Sequence, residues 1–140
     1  MTNVAGVADS EDYLCFYASH RILRYDGNGI LFNAYGVKIT DIFDGSSNTL
    51  MVGEVLGRGE GTHEALPWIM HNNRDTSNGI NLHVPGIPWD PDETGFASYH
   101  PGGCHFLYAD GSVHFIDEYV DAFTLAALTT RAGSEVFYRQ

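Results

Sequence analysis

An α+β fold, mainly antiparallel β-sheet with a C-terminal hairpin and helix and long irregular loops, is the architecture this sequence predicts. Three observations predict it. Short apolar runs bounded by turn residues recur along the first half, the strongest hairpin pattern of the chain lies near residue 110, and a helix-capping pattern follows directly. The 140 residues suffice for one core, so residues 1–140 are read as a single globular domain.

Taken in order, residues 4–7, 13–17, 22–25 and 30–32 are apolar runs of strand length. The turn Asp26-Gly27-Asn28-Gly29 between the last two favours a hairpin. Residues 40–48 read as a short helical turn opened by Thr40 or Asp41 and stopped at Gly45. Residues 49–56 read as a buried strand. Residues 57–94 are the least regular stretch, with a glycine run at 57–61 and Pro85, Pro88 and Pro91 around Trp89. A long loop of this kind is usually functional, and Trp68 and Trp89 within it are candidate contact residues.

The C-terminal third carries residues 104–109 and 112–116, two β-rich runs around Asp110-Gly111. A two-residue turn there pairs Leu107 with His114, Phe106 with Phe115 and His105 with Ile116. Cys104, Phe106, Tyr108, Val113 and Phe115 then form the core face. His105, Leu107, His114 and Ile116 form a mixed outer face, a candidate interface. Asp121 caps a helix running to about Ala132, with Leu125, Leu128 and Ala132 at core spacing and Gly133 as its stop. Residues 134–138 are expected to form a last short strand.

Charge and composition narrow the function. A charged fraction of 18% against 44% hydrophobic residues belongs to a folded chain and not a disordered one. Eighteen acids against seven bases give a net charge of -11, which repels phosphate backbones and excludes nucleic acid as a partner. No run approaches the roughly 20 apolar residues of a membrane span. Residues 1–20 hold Asp9, Glu11 and Asp12 where a secretory leader would be basic and then apolar. Cys15 and Cys104 are either a long-range disulfide or two free buried thiols.

Three ordered blocks carry a resemblance. His100, nine intervening residues and Asp110-Gly111 lie within residues 96–115, Phe-Ala-Ser-Tyr-His-Pro-Gly-Gly-Cys-His-Phe-Leu-Tyr-Ala-Asp-Gly-Ser-Val-His-Phe. Upstream stand residues 42–54, Ile-Phe-Asp-Gly-Ser-Ser-Asn-Thr-Leu-Met-Val-Gly-Glu, and downstream residues 124–136, Thr-Leu-Ala-Ala-Leu-Thr-Thr-Arg-Ala-Gly-Ser-Glu-Val. Together they resemble the planctomycete prepilin-associated family known as domain of unknown function 1559. Members of that family begin with a prepilin-like leader and apolar helix ahead of a secreted globular part, and this sequence resembles the globular part alone. The resemblance implies an extracellular or cell-surface context and makes His100, Pro101, Gly102, Gly103, Asp110 and Gly111 the motif residues.

Chemistry-bearing residues offer several sites. His100 beside Pro101 is either a hydrogen-bonding turn residue or a metal ligand. Asp110 is explained by turn formation alone. His105 and His114, on one hairpin face, are candidate zinc ligands, with His20, His63, His71 and His83 scattered elsewhere. Calcium suits the acidic, Asn- and Gly-bearing loops better. Asp41, Asp44, Asn48 and Glu54 form one candidate oxygen cluster, and Asp90, Asp92 and Glu93 another. For catalysis, Ser98 and Ser112 have no Gly-x-Ser-x-Gly elbow, Cys104 falls on the apolar face, and the glycine run lacks a phosphate-loop lysine. The expected function is therefore structural: a non-enzymatic surface protein acting by assembly with itself or other surface subunits, as a pilin-like or pseudopilin-like headgroup does. A monomeric extracellular binding module for carbohydrate or another extracellular ligand is the alternative, and an unrecognised hydrolase the third reading.

Overall fold

The computed structural model describes residues 4–11, 27–32, 36–55, 73–81 and 95–134. Among these, five strands form one sheet and a single α-helix follows it, the α+β class expected from the sequence. The strands are β1 (Val4–Asp9), β2 (Leu50–Glu54), β3 (Asn73–Asp75), β4 (Gly103–Tyr108) and β5 (Val113–Asp117), and the helix is α1 (Ala122–Thr129). Their order is β3-β1-β2-β4-β5, with only the β1–β3 pair parallel. β3 lies inside the stretch expected to be irregular. Its three residues, Asn73, Arg74 and Asp75, carry no apolar alternation, so it is held by ladder bonds to β1 and not by a hydrophobic face of its own.

The core gathers Ala5 and Val7 of β1, Leu50 of β2, Cys104, Phe106 and Tyr108 of β4, Ile116 of β5, Phe96 and Leu125. The helix α1 lies against β1 and β2. It starts where the sequence places it, because the Asp121 carboxylate accepts a hydrogen bond from the Thr124 amide at 2.9 Å. Its Thr129 is fully buried, and its hydroxyl donates to the Leu125 carbonyl and meets the Thr76 hydroxyl at 2.9 Å. Both polar side chains are thereby satisfied inside the core. Phe96 and Phe106 pack edge to face, 5.0 Å between centroids, across the bare backbone of Gly53.

The hairpin register differs from the expected one by one residue. Leu107 pairs with Val113, Phe106 with His114, His105 with Phe115 and Cys104 with Ile116. A two-residue type I′ turn needs positive φ at both Asp110 and Gly111, whereas only Gly111 adopts it, at 87°. The loop instead has three residues, closed by the Tyr108 amide on the Ser112 carbonyl at 2.8 Å and the Gly111 amide on the Tyr108 carbonyl at 3.0 Å. Asp110 holds this form by accepting from both the amide and the hydroxyl of Ser112. Each β5 side chain therefore changes face. Val113 and Phe115 are exposed instead of buried, and Ile116 is buried instead of exposed.

Other expectations shift as well. The turn expected over residues 40–48 is two 3-10 turns, Ile39–Asp41 and Ser46–Asn48, divided by Gly45 at φ 92°. Residues 29–31 lie beside β1, with the amides of Gly29, Ile30 and Leu31 bonded to the Ala8 and Val7 carbonyls. The first arm of the hairpin expected there lies outside the described residues. The helix stops at Thr129, short of Gly133, because the chain beyond it is bonded elsewhere: the Arg131 amide to Asn28 and the amides of Gly133 and Ser134 to the Asp44 carboxylate. Cys104 is a free, buried thiol; Cys15, the candidate partner in the disulfide alternative, lies outside the described residues, as do residues 135–138.

Candidate functional site

Glu54 ends β2, and His105 stands beside it on β4, next to the paired residues Gly53 and Phe106. The Glu54 backbone carbonyl is turned to the Ala97 amide, and its side chain takes over the sheet ladder, Oε2 accepting from the His105 amide at 2.7 Å. His105 Nδ1 lies 3.3 Å from the same oxygen. The other oxygen, Oε1, lies 3.3 Å from His100 Nε2. The two imidazoles meet edge to face with centroids 4.8 Å apart, and Phe115 closes the far side of the His105 ring at 5.1 Å.

His100 owes its place to the turn that follows it. Pro101 and then Gly102, at φ 83°, have the pattern of a type II turn leading into β4. The turn is braced from below. The Ser98 hydroxyl donates to the Gly103 carbonyl and accepts from the His100 amide, while the Ser98 amide donates to Asn81 Oδ1. Asn81 Nδ2 donates in turn to Glu118, whose own amide donates to the Gly102 carbonyl. A proline-glycine turn tied at this many points presents His100 at a fixed position relative to the sheet.

Burial raises the Glu54 carboxyl, but hydrogen bonds from the His105 amide and ring, with the charges of His100 and His105, outweigh it, and its pKa is lowered. The group is thus an anion over the neutral range. Its side chain is 27% exposed, and those of His100 and His105 are 52% and 43% exposed, so the cluster opens to solvent on one side. The ligand atoms of Glu54, His100 and His105 all lie within 4.8 Å of one another, the grouping of three His, Cys, Asp or Glu side chains found among the described residues.

The remaining candidate residues have other duties. Asp41 accepts from the Lys38 amide, and the Asn48 amide group donates to the Asp44 carbonyl. Both Asp44 oxygens are occupied by the Gly133 and Ser134 amides at 2.7 and 2.9 Å. These three act as local caps and clasps, and Glu54 is engaged by the histidines, so the expected oxygen cluster is not brought together. Asp90, Asp92, Glu93, Trp68 and Trp89 lie outside the described residues. His105 and His114 sit on opposite faces of the hairpin, which dissolves that zinc pair, and the four residues expected to form one outer face divide likewise. The outer face is made of His105, Leu107, Val113 and Phe115. His114 stacks edge to face on Tyr108 at 5.1 Å, and Ile116 is in the core.

Nucleophiles are poorly served. Burial pushes the Cys104 thiol up to about 12 against an opposing hydrogen bond with Ser98, and the negative charges of Glu54 and Glu118 add smaller upward contributions. Ser112 donates its hydroxyl to Asp110, so the carboxylate orients the serine and not His114, the reverse of a catalytic relay.

Fold and site together define a small α+β domain whose sheet ends in a two-histidine, one-carboxylate cluster beside an apolar strand. The chain belongs to the family described as a protein of unknown function (DUF1559), whose model matches residues 15–122. No curated protein and no solved structure matches it. The cluster joins two of the sequence blocks that carry the resemblance: Glu54 closes residues 42–54 and His100 lies in residues 96–115. Asp44 ties the upstream block to the downstream one through Gly133 and Ser134.

Proposed function

We propose that this chain is the globular part of a non-enzymatic, prepilin-like surface subunit that acts outside the cytoplasm by association with a second copy of itself. The observation carrying this reading is the outer face of the β4–β5 hairpin. Among the described residues β5 is the last strand in the sheet order, and its Val113 and Phe115 are 60% and 46% exposed on the side shared with Leu107 and His105. An apolar outermost strand is costly for a monomer and useful to an assembling subunit. The acidic surface opposes nucleic acid and anionic headgroups, and no helix among the described residues is long and apolar enough to cross a membrane. The engaged state of Ser98, Cys104 and Ser112 supports a role without turnover. The apolar face replaces the set of four expected from the sequence, because the one-residue shift of register puts Val113 and Phe115 where His114 and Ile116 were expected.

Size-exclusion chromatography with light scattering tests the proposal. The expected result is a mass above 15.4 kDa that returns to the monomer value in the Val113→Lys, Phe115→Lys double variant. Monomeric wild-type protein at every concentration would overturn it and favour the ligand-binding module.

A further inference from the structure

We propose that Glu54, His100 and His105 bind one divalent transition-metal ion of the zinc class. This goes beyond the assembly reading and does not depend on it. Two imidazole nitrogens and a carboxylate are the ligand set that zinc and its neighbours prefer, whereas calcium and magnesium select oxygen alone. The spacing is near that of a metal centre. With metal–ligand bonds of about 2.0 to 2.2 Å, tetrahedral ligand atoms stand about 3.3 to 3.6 Å apart. Each Glu54 oxygen lies 3.3 Å from one imidazole nitrogen, Oε1 from His100 Nε2 and Oε2 from His105 Nδ1, and the ligand atoms all fall within 4.8 Å, so an arriving ion draws the two half-exposed imidazoles closer together.

The ligands are also held before an ion arrives. Glu54 and His105 sit on adjacent strands and are locked by the 2.7 Å bond from the His105 amide, and His100 rides on the braced Pro101-Gly102 turn. The exposed side of the cluster leaves a coordination position open to water or to a fourth ligand, as in exchangeable and reactive metal sites.

The test uses the full chain stripped of metal by a chelator and titrated with cobalt(II), whose visible absorption reports tetrahedral nitrogen and oxygen coordination, followed by displacement with zinc(II). The expected result is saturation at one equivalent, loss of the spectrum on adding zinc, and affinity reduced roughly ten-fold or more in His100→Ala and in His105→Ala. His114→Ala, on the opposite face of the hairpin, should bind as the wild type does. His100→Gln, which keeps a hydrogen-bonding side chain on an exposed turn, guards against a folding defect, and circular dichroism of each variant checks it. Absence of saturable cobalt binding would overturn the proposal. So would binding that survives unchanged in both folded His100 variants and in His105→Ala.

Discussion

Gly53 has no room for a side chain: a Cβ there would overlap the rings of Phe96 and Phe106, which pack across it. Both rings are almost fully buried, so neither can swing into solvent without opening the core. Gly53→Ala is therefore expected to cost about 1 to 3 kcal/mol, measured by urea unfolding. Cys104 gives a second expectation at this scale. The unfolded thiol ionises near 9.0 and the folded one near 12, so the unfolded state loses its proton first as pH rises. Stability is thus fully present below pH 9.0 and declines between there and about 12. In a Cys15→Ser background, urea midpoints should fall with alkalinity more steeply than in the same protein carrying Cys104→Ala, and a thiol reagent should label Cys104 only as fast as the chain unfolds. An equal decline in both proteins would refute this.

Among the elements, those built from neighbours in sequence were legible and those built from distant partners were not. Asp121 caps α1 through an amide three residues on, so its role can be read locally. The end of the same helix depends on Asp44 and Asn28, and nothing in residues 129–134 announces them. The hairpin was legible as a turn at Asp110-Gly111, but its register hangs on which of two turns forms. Docking of the Ala109 and Asp110 amides onto the Thr49 and Ser46 carbonyls accompanies the three-residue choice. Gly111 alone carries the positive φ, so Gly111→Val should lower stability by about 1 to 2 kcal/mol while Gly111→Asn costs distinctly less. Thermal melts of the two variants check this. Equal losses would mean that the loop relaxes to another form. The metal cluster failed to show for the same reason as the helix end. Glu54, His100 and His105 each drew notice as a ligand, but with the wrong companions, because strand pairing unites them and sequence spacing does not.

At the scale of the molecule, residues 42–54, 96–115 and 124–136 supply β2, most of the β4–β5 hairpin, most of α1 and the candidate site. The upstream block is the second 3-10 turn and β2, the signature is the Pro101-Gly102 turn and the β4–β5 hairpin, and the downstream block is α1 with its clasped end. The layout of the sheet has a kinetic meaning. The first strand of the chain is an inner one, lying between β2 and β3, and both of those neighbours are made from residues far downstream. The β4–β5 pair needs only a three-residue loop to close, while each ladder on β1 joins residues more than forty positions apart, and the entropy of closing so long a loop is lost before any bond rewards it. The chain therefore acquires its edge cheaply and its centre late, and whatever holds the centre open in the meantime governs how fast the domain becomes whole.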